Sequence, residues 1–570
     1  MTSLTIMERS LIAQTRLDYA RRRILARLLL LPIFNWVFAA PTAEQLLLVP
    51  QELRTCDTSF VSEIEHGMFG LGGTVASMGN GSIFDIKPPS QIWAHDLHGF
   101  SWLRHLSTVG SEKTIIIARH FINEWIERYG SWEGLPWQPD VVGRRIFSWI
   151  ANTEHVLGGS APDFYDKFLK SLSVQMKFLS SCWFSAAVGP PRLTALIGLT
   201  VGDFCISGRE EFLRKSERYL ELEVERQFFI DGGHISRNPH FVVDALLDLI
   251  PLRSCYCSFD RPLPEKIAEA IPRMLRFLHF MRLGDGSLAR FHGAGTPPFH
   301  TLAMLSAYAD TNTIMQVGIP NIASQSGYIR LTGGNAILMF DGSRPPPMQF
   351  AANAASCCLS FEFSIGAYPI FVNNGTPTEL EKEWLARSRA TASHNTLVLG
   401  AQSSSEIINH RALLRLLGNA PIKLPEKVSI NVEGDDKCTT LVAQHDGYLS
   451  RFGFLHRRKL QLAKSGHWLA GRDQIISSQQ KVRLPHDISF SIHFHLHPIV
   501  RCLSETSSVI LEIILPNNSL WRFTAKGATL SVEESIYYAD LIGPTHTQQI
   551  VLRGSCFKDQ TVHWCIEKVR

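Results

Sequence analysis

The sequence predicts an α+β protein of two parts, a helical front half and an all-β back half. Three observations carry this. The chain has 570 residues, and single hydrophobic cores stop growing near ~250–300 residues. From about residue 90 to 310, apolar side chains recur at three- and four-residue spacing. After about residue 320 the chain turns to short, β-rich, often alternating segments bounded by turn residues. Composition (45% hydrophobic, 19% charged) is that of an ordinary soluble protein and excludes collagen-like, disordered and membrane-bundle classes. With 56 Lys and Arg against 52 Asp and Glu, net charge argues neither for nor against nucleic acid. A polyanionic ligand would need only a local basic groove.

Residues 1–44 form a separate amino-terminal segment. Arg21, Arg22, Arg23 and Arg27 precede an apolar run from Leu28 to Ala40, broken by Pro32 and Asn35. The run is too short to span a bilayer as a helix. It has the length of a leader-peptide core, but the stretch before it is long for that role. The alternative is an amphipathic helix, Leu11 to Leu31, packed on the body of the protein.

The expected helices cover Trp93–His105, Lys113–Tyr129, Val141–Val156, Asp163–Phe178, Pro191–Ile206, Glu210–Phe229, Phe241–Ile250 and Leu263–Met281. Gly/Pro-bearing breaks such as Gly189-Pro190-Pro191 separate them. Such a run means a bundle, a solenoid or a closed helical toroid, and the lack of exact repeats weakens the solenoid reading. Gly318-Ile319-Pro320 is the expected junction, giving domains 45–318 and 319–570. Beyond it, Tyr328–Phe340, Cys358–Phe363, Asn395–Leu399, Lys459–Ala463, Ser489–His495 and Ser508–Leu515 read as strands, and their number suggests a sandwich.

Eleven cysteines without a CxxC pair fit neither a zinc knuckle nor a disulfide framework, so most are expected to be buried free thiols. Eight of the twelve tryptophans fall before residue 184. Helix packing is the ordinary use of such residues, while Trp132 and Trp137, in a Gly/Pro-rich loop, are the candidates for stacking on sugar rings. The densest polar segment, Asp231 to His240, holds two glycines followed by His234, Arg237, Asn238 and His240. Gly284 to Gly293 repeats the theme with Arg290 and His292. Each loop is either a ligand rim or an elaborate helix cap. In the β half, His394 and His445, with Glu406 or Asp446 as third ligand, make a candidate zinc set. His493, His495 and His497 alternate on one strand and share a face, where cross-strand packing or exposure is the expected use rather than metal.

The segments DGGHISRNP (231–239), GDGSLARFHG (284–293), SHNTLVLG (393–400) and HDGY (445–448), preceded by LHGFSWLRHL (97–106) and by Trp137, Pro139, Arg144, Arg145 and Trp149, together resemble the heparinase II/III-like family of polysaccharide lyases. The resemblance runs in consistent order from about residue 45 to 570. It implies an α+β multidomain fold, an N-terminal incomplete (α/α) toroid followed by a C-terminal antiparallel β-sandwich. It also implies β-elimination on uronic-acid-containing glycans such as glycosaminoglycans, in a cleft at the domain interface. That chemistry needs donors to neutralise the uronate carboxylate, a base for the neighbouring carbon and an acid for the leaving oxygen. On the resemblance, His234, Asn238, His292 and His394 are the catalytic candidates. Arg237, His240, Arg290, Trp132, Trp137 and Tyr448 are the substrate-binding ones, and a structural zinc on His394, His445 and Glu406 is the cofactor expectation. The expected partner is an acidic polysaccharide, with no nucleic acid and no stable membrane insertion; a homodimer is one expected assembly. The family points to periplasm or cell envelope, the free cysteines to cytoplasm.

One departure stands out. Lyases of this group use a tyrosine from the toroid near the second polar loop, and here no tyrosine lies between Tyr256 and Tyr308. His292 or Tyr448 would have to replace it, or elimination is altered or absent. Two other functions follow from the same residues: a glycan-binding protein without turnover, or a glycoside hydrolase using Asp231 and Asp285 across a cleft.

Overall fold

The computed structural model describes residues 45–570 except 80, 131, 133, 309–320, 343, 345, 378–381, 408–421, 424, 479–486, 504–509, 540–542, 557 and 570, together with nine helical positions between 13 and 28. Most of the amino-terminal apolar run and the expected junction at Gly318–Pro320 lie outside the described residues. The chain forms two compact units. One is Met1–Gln227 with Asp244–Ile271, the other Phe228–Val243 with Pro272–Arg570. No helix of the described residues is long and apolar enough to cross a membrane.

The first unit is helical. Its principal helices include Gln91–Gly99, Leu103–Val109, Glu112–Arg128, Pro139–Ala151, Pro162–Cys182, Pro190–Cys205 and Glu210–Gln227. Ser90 and Ser111 cap two of them by accepting from Trp93 N and Thr114 N. Pro139, Pro162 and Pro190 open three more at the position where a missing N–H costs nothing. The stretch expected as one helix over Trp93–His105 is two, because Phe100 adopts a left-handed φ of 56°. The one expected over Val141–Val156 likewise breaks at Asn152. Trp93, Trp102, Trp125 and Trp149 are fully buried and meet their neighbours largely edge to face, as Phe100 does with Trp125 and Trp149. That is the packing use of an aromatic cluster.

The second unit carries three principal antiparallel sheets, of eight, four and five strands. The five-stranded sheet contains the hairpin Tyr328–Gly333 with Ala336–Asp341, turning where Gly333-Gly334-Asn335 signals it. The eight-stranded sheet runs through Cys438–His445, Phe454–Ala463, Trp468–Ser477, Gln560–Lys568 and Leu520–Lys526 as neighbours. Its strands alternate buried and less buried positions, so one face builds the core and the other does not. Phe361, Phe494, Phe523 and Trp564 form the centre of that core, with Phe361 and Trp564 stacked at 5.7 Å. Eight of the eleven cysteines are buried and all are free, as their usage predicted.

Candidate functional site

The loop Asp231–His240 is held by its own side chains. Asp231 accepts from Gln325 N (2.9 Å) and Ser326 N (2.7 Å) through one oxygen, and from Ser326 Oγ (2.7 Å) and Gly233 N (3.1 Å) through the other. Gly232 sits at φ +88°, and a Cβ there would meet the Arg273 carbonyl at 2.1 Å, so only glycine fits. His234 is 2% exposed. Its Nδ1 accepts from Ser236 N (3.1 Å) and lies 2.7 Å from Ser236 Oγ, among the rings of Phe228 and Phe241. Burial pushes its pKa down to about 3, so the imidazole is neutral. Ser236 Oγ in turn accepts from Asn238 N (3.2 Å), and Asn238 Oδ1 accepts from His240 N (2.9 Å) at the start of the helix His240–Ser258. Asn238 is buried and His240 half-buried.

Three further candidates are built into the fold rather than presented to a ligand. Arg237, at φ 68°, donates to the Gln325 carbonyl and packs over Phe229, while Tyr328 donates to its backbone oxygen. Arg290 is buried, 3.5 Å from Glu362 and over the Tyr537 ring. Burial raises Glu362 to about 7 against the pull of Arg290. Tyr448 is fully buried and donates to the Leu397 carbonyl at 2.7 Å, which corrects its expected role on substrate. Trp137 is corrected in the same way. It is 4% exposed, donates to the Tyr129 carbonyl (2.8 Å), and helps Trp125 enclose the Arg145 guanidinium. Trp132 stays partly exposed beside Phe178. The carboxylates of the hydrolase reading are also engaged locally: Asp231 as above, and Asp285 by Ser287 N and Oγ (3.0 and 2.8 Å).

The expected zinc set does not gather. His445 Nδ1 accepts from Gly447 N (3.0 Å), and its Nε2 faces His456 Nδ1 at 3.3 Å. His456 Nε2 reaches Asp473 (2.8 Å), which also accepts from Arg458 Nε (2.7 Å) and Trp564 Nε1 (2.9 Å). This buried chain uses His445 structurally. Glu406 is exposed on a two-residue strand, lining a groove with Asp446 rather than with either histidine. His394, His445 and Glu406 therefore do not fit a common zinc ion. His493 and His495 stack at 6.0 Å and hydrogen-bond to Ser491, Gln549, Ser535 and the Ala392 carbonyl, the packing use expected of them.

What does converge is a trio. His292 Nε2 lies 3.1 Å from Asp341 Oδ2 and 3.5 Å from Cys357 Sγ, and Cys357 Sγ donates to Asp341 Oδ2 at 3.1 Å. All three are buried. His394, 3% exposed, is near enough for both His292 and Asp341 to act on its ring. Burial foremost, then His292, bring its pKa down to about 3, so it is neutral. His292 and His394 were singled out in the sequence; Asp341 and Cys357 were not, because only the hairpin and the loop after it bring them to His292.

A second feature was also hidden. On the outer face of the eight-stranded sheet, Lys459 pairs with Arg472, Arg472 with His563, and His563 with Lys526. They line a groove of about 460 Å³ whose lining contains no carboxylate. The four residues are scattered over 105 positions of sequence, and only strand register aligns them.

Residues 319–564 match the family model described as heparinase II/III-like, C-terminal. The second unit thus carries the C-terminal domain that defines the heparinase II/III-like class. Among known proteins, it is similar to FtsZ-localized protein C of Caulobacter vibrioides (strain NA1000 / CB15N), 26% identical over 509 residues, 88% of this chain and 86% of that one. Among solved structures it is similar to a heparinase III (TM-score 0.74, 15% identity, 98% of this chain and 92% of that one). It is also similar to a mutant of the heparan sulfate lyase HepC from Pedobacter heparinus (TM-score 0.62, 15% identity, 98% and 88%). The shared fold is an (α/α) toroid followed by an antiparallel β-sandwich.

Proposed function

We propose that this chain binds an acidic polysaccharide, and that binding rather than elimination is its main activity. The observation that carries this is the row Lys459–Arg472–His563–Lys526. Like charges directly opposite one another on neighbouring strands destabilise a sheet, yet this sheet places three fixed cations and a histidine side by side. Arg472 Nε is buried and has no hydrogen-bond partner among the described residues. Neighbouring strands are ~4.8 Å apart, so the row spans about 14 Å, a length suited to several acidic groups of one sugar chain. Arginine and lysine there would hold carboxylate or sulfate through charge-assisted bonds.

The test is retention on immobilised heparin and hyaluronan. The variant Lys459→Gln/Arg472→Gln/Lys526→Gln should elute at lower salt and bind about ten- to a hundredfold more weakly, since three exposed charges at ~0.5–1 kcal/mol each total ~1.5–3 kcal/mol. Its thermal midpoint should hold or rise, because repulsion is relieved. Unchanged elution would sink the reading.

Turnover of uronate glycans by β-elimination is the finer reading that the family supports. In its favour is the pre-formed loop Asp231–His240 with Asn238 fixed in it. Against it stand the absent tyrosine, the neutral buried His234 and His394, and a His292 bound up with Asp341 and Cys357. We expect no ultraviolet absorbance from unsaturated ends on a panel of uronic-acid polymers; a steady rise with any of them would restore turnover. The Caulobacter relative is named for localising with FtsZ. A fluorescent fusion of this chain imaged beside FtsZ tests the same placement here, and diffuse signal would remove it.

A further inference from the structure

We propose that His292, Asp341 and Cys357 form a binding site for a divalent metal ion of the zinc class, distinct from the set the family resemblance suggested.

One atom from each residue points to a common centre: Nε2, Oδ2 and Sγ, separated by 3.1, 3.1 and 3.5 Å. For a tetrahedral zinc with bonds of ~2.0–2.1 Å to nitrogen and oxygen and ~2.3 Å to sulfur, the ligand–ligand edges are about 3.3–3.6 Å. The observed edges fall within a few tenths of an ångström of that frame. A small outward movement of each side chain opens it.

The rival explanation is a cysteine–histidine–aspartate relay. In such a relay the carboxylate holds one ring nitrogen and the nucleophile meets the other. Here Asp341 and Cys357 both bear on the same nitrogen, Nε2, so the carboxylate cannot orient the ring for the thiol. The thiol instead donates to the carboxylate. Mixed nitrogen, oxygen and sulfur donors suit zinc and its neighbours in the transition series and disfavour magnesium and calcium.

The backbone is shaped for this convergence. His292 adopts φ 49° and is followed by Gly293 at φ 83°, where a Cβ would meet the Asn353 carbonyl at 2.4 Å. Leu359, two residues past Cys357, adopts φ 60° and donates to the Asp341 carbonyl. Two non-glycine residues held left-handed beside one cluster are costly unless the surroundings over-determine them. The nearby His394 offers a further donor: its ring is buried, close to His292 and Asp341 and beside the Ser388 backbone. It is the candidate for the fourth position. On binding, Cys357 would lose its proton to solvent and ligate as thiolate. The ion would staple the loop 284–293 to the strand Ala336–Asp341 and the turn after it.

The experiment uses the full-length chain. After removal of bound metal and reconstitution with cobalt(II), the protein should show a thiolate-to-cobalt charge-transfer band at one equivalent. Cys357→Ser should abolish the band, Asp341→Asn and His292→Gln should weaken or remove it, and Cys358→Ser should leave it. Zinc should compete the cobalt away, and chelation should lower the thermal midpoint of the wild-type protein. The wild-type measurement stands even if a variant misfolds: no band at saturating cobalt overturns the site. A band that survives Cys357→Ser overturns it as well.

Discussion

Asp473 shows how one carboxylate can decide the use of a whole motif. It accepts from His456, Arg458 and Trp564, and none of these side chains meets solvent appreciably. Burial pushes its pKa up, but Arg458 and His456 outweigh that and hold it below the usual carboxylate range. Arg458 Nη1 then donates to the Leu359 and Asn395 carbonyls (2.8 and 2.6 Å). Asp473→Asn would leave the Arg458 guanidinium buried without its counter-charge. Breaking a buried pair from one side costs ~3–5 kcal/mol, so the urea midpoint should fall sharply; a loss under about 1 kcal/mol would contradict the account. His445, read from the sequence as a metal ligand, is the far end of this chain. Its residue type and its turn were legible, but its partners were not, since His456 and Asp473 reach it only through strand pairing. The same limit hid Asp341 and Cys357 from His292.

At the scale of elements, Gly143 and Gly198 decide how two helices meet. A Cβ at Gly198 would lie 2.2 Å from the Gly143 carbonyl oxygen, and one at Gly143 would lie 2.7 Å from Ala195 Cα. The helices Pro139–Ala151 and Pro190–Cys205 therefore touch backbone to backbone. Gly198→Val would force them apart in a packed core, and overpacking of this kind costs ~1–3 kcal/mol or more. Gly130→Ala, whose Cβ would meet only an ordinary 3.5 Å contact, is the control. Equal thermal midpoints for the two variants would refute the close approach. Helix and strand content was largely legible because periodicity reports which face is buried. The break at Phe100 was not, because phenylalanine does not announce a left-handed turn; Asn152 is a residue type that does end helices, but the apolar period runs on through it to Val156. The basic row was illegible for a related reason: alternation shows that Lys459 and Arg472 face outward, but not that they face each other.

Over the whole molecule, the buried histidines set the dependence of stability on pH. Burial lowers His98 and His234 to about 3 and His105 to about 4, against an ordinary value near 6.5. In the unfolded chain these rings take up a proton as pH falls below about 6.5; in the folded chain they stay neutral until about 3–4. The unfolded state therefore binds more protons across that window, and stability falls with falling pH. Glu362 works the other way. Raised to about 7 by burial, it is protonated in the fold before it is in the unfolded chain, so between about 7 and 4.5 it favours the fold as pH drops. With His394, also lowered to about 3, four histidines stand against Glu362 and leave a net destabilisation on acidification. Their number grows further with His155 and His493, which burial also lowers. Urea denaturation at pH 7.5, 6.5, 5.5 and 5.0 should give a progressive loss of stability that begins just below 6.5. His234→Gln, which keeps a polar side chain near Ser236, should reduce that slope by up to one proton's worth. A flat profile between pH 7 and 5 would mean that these rings are protonated in the fold, and that His234 is cationic and available to a uronate carboxylate after all.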